Sequence, residues 1–394
     1  MRTIGVAERR ARLGRRHSLV PGHRASDVVD AARSMVCLHG TDPATIYLSA
    51  WARVDDMTVT DLDRALYLDR SLVKHLAMRR TLFVFPRESL AFAQSGASDR
   101  VAVAERGRLI RDVEKAGLHR DGERWLSDAC EQVLAALADG REATSSELRD
   151  EIPLLEGSIS YGEGKSWGGR APIGPRVLTI LSAAGQIVRA SNVGRWTTSR
   201  PRWASLESWL GEEIAPCPEA EGVARLVEHW LRAFGPGTAA DIKWWLGSTV
   251  GAVRRALGDL HAVEVDLDKQ TGYLLPDDLD ATDPVQPWAA LLPPLDPTTM
   301  GWSERDWYLG PYKEQLFDTS GNAGPTAWWD GRIVGGWRQS DAGDVGLQML
   351  EDVGAEGLRA LEHQAARLTD WLAGTRALPR FPSPLSKAVA GTGG

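Results

Sequence analysis

The chain has 394 residues, of which 43% are hydrophobic and 25% charged, and this is enough for two to four globular domains. Its net charge of −7 argues against a protein that coats nucleic acid over its whole surface, and its three cysteines are too dispersed to predict disulfides or a metal site. No apolar run reaches the roughly 18 residues that span a bilayer, and the N-terminus has no apolar signal core. We therefore expect a cytoplasmic protein with no membrane contact, no metal and no cofactor.

The first 24 residues carry seven arginines and a single acidic residue, Glu8. Such a segment is either a solvated arm or a local basic face that contacts a polyanion. Beyond it, the spacing of apolar residues predicts helices at 25–38, 43–54 and 60–69, followed by a strand at 81–85.

The polar sequence His39-Gly40-Thr41-Asp42 interrupts two apolar helical runs. Asp42 followed by Pro43 fits the N-cap and the first position of the next helix, and Gly40 fits the end of the preceding helix. This explanation leaves His39 and Thr41 as two hydrogen-bonding side chains without a local role.

Two later segments share one order of predicted elements, in which three helices precede a pair of short strands. Thr144 and Glu147 predict a capping box at the start of the second helix of the first segment, and Thr238-Ala239-Ala240-Asp241 predicts a cap at the same place in the second segment. Three helices and a hairpin are typical of the winged helix-turn-helix. The predicted elements begin at Glu123 and continue at 144–152, 177–184, 185–190 and 194–197, and they recur at 223–234, from Thr238, at 249–260, 262–267 and 272–275.

From about residue 280 the sequence favours strands, with a hairpin turn predicted at Asp330-Gly331 and a long helix after it. The predicted fold class is therefore α+β, with tandem winged helix-turn-helix domains followed by a C-terminal β-rich domain that has a terminal helix. The expected domains are a winged-helix-like domain at 1–120, winged helices at 121–212 and 220–278, the β-rich domain at 283–380 and a loose tail at 381–394.

Tandem winged helices mostly bind DNA, with the third helix in a groove and the hairpin on the backbone. Each arginine at these positions, taken alone, is better explained as a solvated surface residue, and the cluster RWTTSRPRW is the strongest candidate for a DNA contact. The glycine-rich loop at 162–170 is equally explained as a plain connector. That loop lacks the spacing of a phosphate-binding P-loop, so no nucleotide site is expected. The DNA-binding candidates are Lys165, Trp167, Arg170, Arg176, Arg195, Arg200 and Arg202.

Five segments in this order resemble the winged-helix DNA glycosylase family of AlkZ and YcaQ: VCLHGTDPATIYLSAWARV, MRRTLFVFP, GKSWGGRAPIGPRVLTILSAAGQIVRA, LLPPLDPTTMGWSERDWYLGP and GPTAWWDGRIVGGWR. The resemblance covers nearly the whole chain. It implies a monomer that binds damaged double-stranded DNA and hydrolyses the N-glycosidic bond of N7-alkylated purines, in some members opening interstrand crosslinks. It also adds Arg79 and Arg80 to the DNA-binding candidates, and it matches Asp296 and Arg305, for which we expect an internal salt bridge.

The family's catalytic motif is Gln-x-Gln or Gln-x-Asp, and its two polar positions fall on His39 and Thr41, with Asp42 directly after them. Neither glutamine is present, and the histidine of the family's RGTLH string is Phe83 here. An N7-alkylated purine is already a cationic leaving group, so the protein needs only to stabilise an oxocarbenium-like sugar and to orient a water molecule. His39, Thr41 and Asp42 are therefore the catalytic candidates. Their alternative roles are a helix-terminal histidine, a turn residue and a helix cap.

Three hypotheses follow. The first is a monofunctional DNA glycosylase for N7-alkylated or bulky purine adducts. The second is a non-catalytic winged-helix protein that binds DNA or a lesion, which the missing glutamines favour. The third is a winged-helix protein that binds a small molecule or a partner protein, which the net acidity and the sixteen tryptophans would suit.

Overall fold

The computed structural model describes residues 1–162, 164 and 168–387. Helices alternate with short strands along this chain, and the strands form five small sheets in the described residues. The α+β fold class that the sequence predicts is confirmed. None of the helices in these ranges is both long enough and apolar enough to cross a membrane.

The first unit spans residues 28–86 and is preceded by a short strand and a helix. Leu38 and His39 form a strand, so the helix predicted at 25–38 is shorter than expected. The elements up to residue 115 are β1 (Arg2–Thr3), α1 (Val6–Arg16), α2 (Val28–Ser34), β2 (Leu38–His39), α3 (Pro43–Trp51), α4 (Val59–Asp63), β3 (Leu72–Ala77), β4 (Thr81–Pro86), α5 (Leu90–Ala93) and α6 (Asp99–Lys115).

The second unit spans residues 122–205. The predicted capping box is present, with Thr144 accepting a hydrogen bond from the backbone of Glu147 and the Glu147 carboxylate accepting one from the backbone of Thr144. The elements are α7 (Gly122–Ala136), β5 (Ala143–Thr144), α8 (Ser145–Glu151), β6 (Ser158–Tyr161), β7 (Gly169–Pro172), α9 (Gly174–Ala183), β8 (Ile187–Asn192), β9 (Pro201–Ser205) and α10 (Leu206–Leu210).

The strand predicted at 194–197 is wrong, because these residues lie in the turn between β8 and β9. The Asn192 side chain organises this turn: its amide donates to the Thr198 carbonyl at 3.0 Å and its oxygen accepts from the Arg200 backbone at 2.8 Å. A side chain that bonds the backbone in this way competes with strand pairing. The second strand therefore starts only at Pro201.

The third unit spans residues 219–274, and its helices and strands follow the prediction closely. The second helix of this unit begins with a capping box formed by Thr238 and Asp241. The elements are α11 (Glu219–Phe234), β10 (Gly237–Thr238), α12 (Ala239–Leu246), α13 (Val250–Asp259), β11 (Val263–Asp266) and β12 (Thr271–Leu274). β1 at the N-terminus pairs in parallel with β11 and so joins the start of the chain to this unit.

All three units are built on one plan. In each, a two-residue strand just before the second helix pairs with the second strand of the hairpin, giving the sheet orders β2-β4-β3, β5-β9-β8 and β10-β12-β11. The second unit has a hydrophobic core of its own, while buried residues of the first and third units and of the C-terminal region form one continuous core. The domain boundaries at 120, 212 and 278 stay a prediction.

The C-terminal region contains the predicted strands, the Asp330-Gly331 turn and the long helix. Residues 381–387 are not a loose tail, because they include a short helix and Ser383 is buried, whereas 388–394 lie outside the described residues. The elements are β13 (Ala289–Leu292), α14 (Pro297–Met300), α15 (Asp306–Leu309), α16 (Lys313–Leu316), β14 (Thr326–Trp329), β15 (Arg332–Gln339), β16 (Val345–Met349), α17 (Gly354–Leu372) and α18 (Pro384–Lys387).

The arginine-rich N-terminus is part of the folded structure and not a solvated arm. Arg12 on α1 is only 1% exposed and forms ion pairs with Glu8 at 2.9 Å and with Asp278 at 3.0 Å. Arg16 pairs with the same Asp278 at 2.6 Å. Because these arginines are occupied within the chain, they fix α1 against the end of the third unit.

Candidate active site

The His39-Gly40-Thr41-Asp42 turn joins β2 to α3. β2 pairs with β4 so that His39 lies opposite Phe83, and the imidazole meets the Phe83 ring edge-on at 5.4 Å. The Gly40 backbone donates to the Leu82 carbonyl at 2.8 Å, where a side chain on Gly40 would come within 3.2 Å of that oxygen. The sheet therefore fixes the position and direction of the His39 ring.

His39 is half-buried, and its Nδ1 accepts a weak hydrogen bond from the Thr41 backbone at 3.4 Å. Burial, and then the positive charge of Arg79, lower the pKa of His39 to about 3. The ring is therefore neutral at pH 7. Because Nδ1 accepts, its proton lies on Nε2, which is the nitrogen that remains for a ligand.

Asp42 is buried and both of its carboxylate oxygens are occupied. One accepts from the Ala44 backbone at 3.2 Å, which caps α3, and the other accepts from the Arg380 backbone at 3.0 Å. Burial raises the pKa of this carboxyl group. Thr41 is half-buried, and its carbonyl accepts from the Arg380 side chain at 3.3 Å. These contacts favour the alternative roles, helix cap and turn residue, for Asp42 and Thr41.

His39 lines a cleft of about 400 Å³ between the first unit, the third unit and the C-terminal region. Asp42 and Thr41 do not line it. A cleft of this size is in the range that holds a small organic group such as a nucleobase. The lining residues are His39, Arg79, Thr81, Trp244, Met300, Ser303, Arg305, Asp306, Lys313, Phe317, Ser320, Gly321 and Asn322.

The side chains of this cleft combine positive charge with aromatic surface. The Arg79 guanidinium lies 4.2 Å from the ring centre of Trp244, and that of Arg305 lies 5.0 Å from the same ring and 4.9 Å from that of Phe317. Lys313 adds a third cation. Sequence reasoning missed Trp244, Lys313 and Phe317. The sequence does carry one indication of a role for Trp244: it lies beside Trp245, which is buried, but off the apolar stripe of their helix.

Asp296 and Arg305 are both expected to form an internal salt bridge. Asp296 does form one, and its partner is Arg53. Both side chains are fully buried, with the two Nη atoms of Arg53 at 2.7 and 2.9 Å from the two carboxylate oxygens. This pair joins the segment directly after α3 of the first unit to the N-cap of α14. The expectation for Arg305 is wrong, because its guanidinium stacks on aromatic rings in the cleft.

The other DNA-binding candidates divide into occupied and exposed side chains. Arg176 forms an ion pair with Asp112 at 2.8 Å, and Arg202 donates to the Glu142 carbonyl at 2.7 Å, so neither is placed as a free groove contact. Arg80 is half-exposed and pairs with Glu105 at 3.0 Å.

Three further candidates are exposed: Arg170, Arg195 and Arg200. Lys165 and Trp167 lie outside the described residues. A role in DNA binding stays a prediction for all of these positions.

The overall fold is similar to that of a solved protein structure. The DNA glycosylase AlkZ of Streptomyces sahachiroi has the same fold, with a TM-score of 0.74 at 20% sequence identity over 96% of this chain and 99% of that chain. A family model described as "DNA glycosylase AlkZ-like" matches residues 32–371. The chain therefore belongs to the AlkZ-like DNA glycosylase family, which confirms the resemblance and supports a role in DNA repair. No curated protein sequence matches the chain.

Proposed function

We propose that the protein is a monofunctional DNA glycosylase that removes an N7-alkylated or otherwise bulky purine from double-stranded DNA. The observation that carries this proposal is that His39 lines a cationic, aromatic cleft. The sequence resemblance matches this residue to the family's first catalytic glutamine. Action as a cytoplasmic monomer and opening of interstrand crosslinks stay predictions.

The chemistry makes small demands on the protein. When the bond between the sugar C1′ and the purine N9 breaks, its electron pair neutralises the cationic base, and the sugar becomes an oxocarbenium ion. A water molecule then adds to C1′ and releases one proton to solvent. The prediction of a monofunctional reaction rests on the His39 turn, which contains no lysine to form a covalent link to the sugar, while Lys313 lines the same cleft.

His39 is suited to hold that water by a hydrogen bond. With a pKa of about 3, its ring does not store a proton at neutral pH, so it acts as a hydrogen-bonding group and not as a strong base. The fixed ring direction, set by β2 and β4, supplies the orientation that this role requires.

The alternative is a relative that binds a lesion without cutting any bond. The observation that favours it is Asp42, whose oxygens are both engaged by backbone N–H groups, so that the turn offers no free carboxylate to the sugar. Family membership favours both of these functions over a winged-helix protein that binds a small molecule or a partner protein.

The deciding experiment incubates the protein with a duplex that carries N7-methylguanine and measures released base and alkali-labile abasic sites. We expect release by the wild-type protein and loss of release in His39→Ala, with His363→Ala, an exposed histidine on α17, as the matched control. Tight binding without release of this base or of bulkier adducts would support the lesion-binding alternative.

A further inference from the structure

Two arginines of the cleft are held side by side without an acidic partner. Arg79 and Arg305 both stack on Trp244, at 4.2 and 5.0 Å from the ring centre. In the described part of the chain neither guanidinium forms an ion pair with a carboxylate, and the polar contact of the Arg305 guanidinium is with the Met300 sulfur at 3.9 Å. Stacking on an aromatic face compensates only part of the cost of bringing two like charges together.

The backbone that presents Arg79 is strained. Arg79 and Arg80, in the turn between β3 and β4, have φ values of 55° and 59°, in the left-handed region that glycine and asparagine normally occupy. A side chain in this region is strained because its Cβ lies too close to the following carbonyl oxygen. Strain of this kind persists where the surroundings impose it, and it is concentrated at ligand sites.

The third unit is shaped to receive this turn. Gly247, which ends α12, leaves room for Arg79, because a Cβ there would come within 2.8 Å of the Arg79 Cγ. The same helix supplies Trp244. The turn of the first unit, the end of α12 and Arg305 therefore converge on one place in the cleft, beside His39.

We propose that Arg79, Trp244 and Arg305 form a clamp for one backbone phosphodiester of the bound DNA strand, next to the nucleotide whose sugar faces His39. The proposal rests on the proposed function, since it assumes that this cleft receives DNA. Two planar guanidinium groups match the geometry of a phosphate, and the indole keeps both in place before DNA arrives. A bound phosphate also supplies negative charge close to the developing oxocarbenium ion.

The test measures affinity for a short duplex that carries a tetrahydrofuran abasic-site analogue, which has no glycosidic bond to cut. Phosphodiesters around the analogue are replaced one at a time by neutral methylphosphonates. For the wild-type protein we expect a loss of affinity of about tenfold at one or two positions. In Arg305→Gln the same replacements should change affinity by less than about twofold, because the clamp is already absent.

Three further variants make the result specific. Arg79→Gln should behave like Arg305→Gln, and Arg305→Lys, which keeps the charge but not the planar fork, should be intermediate. Arg359→Gln, at an exposed position on α17, is the matched control and should respond like the wild-type protein. Thermal unfolding of each variant checks that it is folded.

Equal methylphosphonate effects in the wild-type protein and in both glutamine variants would overturn the clamp. The outcome is independent of base release, because the analogue cannot be cleaved. A clamp without release of any base would refute the glycosylase and leave the clamp standing, whereas base release without position-specific effects would refute the clamp alone.

Discussion

Arginines lie at two places where the first unit meets the C-terminal region, and they differ in burial and in pairing. Arg53 and Asp296 are fully buried and paired, and they also bond to Ser49 and Thr298. Arg79 and Arg305 line an open cleft and have no carboxylate partner among the described residues. A paired charge in the buried core fixes one packing of the segments, whereas an unpaired charge beside solvent attracts a ligand of opposite charge. Pairing, and not residue type, separates the structural arginines from those that we propose to bind DNA.

The strongest test of this contrast is Asp296→Asn. It leaves the Arg53 guanidinium buried without a counter-charge, so we expect the free energy of unfolding to fall by about 3–5 kcal/mol. Urea denaturation followed by circular dichroism measures the change. Arg305→Gln in the same assay should cost far less, and a comparable loss in the two variants would contradict the distinction between the two sites.

The next effect concerns turnover and not stability. His39→Ala should lower the rate of base release by at least about 100-fold, because the group that orients the water is lost. Duplex affinity should stay within about twofold of the wild-type value, since His39 carries no charge at neutral pH. Single-turnover base release and fluorescence anisotropy measure the two quantities. Unchanged turnover would remove the turn from the mechanism.

Acid should destabilise the buried part of the first unit. Burial lowers the pKa of His75 to about 4, below the ordinary value of about 6.5 that applies in the unfolded chain. The unfolded chain therefore binds the extra proton between these pH values, and stability falls as the pH falls below about 6.5. His75→Gln should reduce the loss between pH 7 and pH 5 by about 2 kcal/mol in urea denaturation. His363→Gln is the control. If His75→Gln loses as much stability between pH 7 and pH 5 as the wild-type protein, protonation of His75 does not cause the loss.

The smallest effect is expected far from both sites. Thr144→Ala removes the hydroxyl that accepts from the Glu147 backbone at 3.2 Å at the start of α8. The loss of one cap should cost about 1 kcal/mol in urea denaturation. Base release should be unchanged. Thr60→Ala, at an exposed position within α4, is the control, and an equal cost there would show that the cap itself contributes little.

The elements of the fold were largely predictable, and the site was predictable only in part. The capping box at Thr144, the cap at Thr238 and the helical stripe of α11 are predictable because neighbours within four residues produce them. The turn after Asn192 was mistaken for a strand because its side-chain bonds to the backbone leave no periodic pattern.

Sequence by itself determined the family, the α+β class and the position of the His39 turn, since these depend on the order of local patterns along the chain. Only the tertiary structure decided which charges are paired. Arg53 meets Asp296 across 243 positions, Arg176 meets Asp112 across 64, and Arg79 reaches Trp244 from another unit. Ion pairing and burial depend on which surfaces meet in space, and no local spacing encodes that meeting.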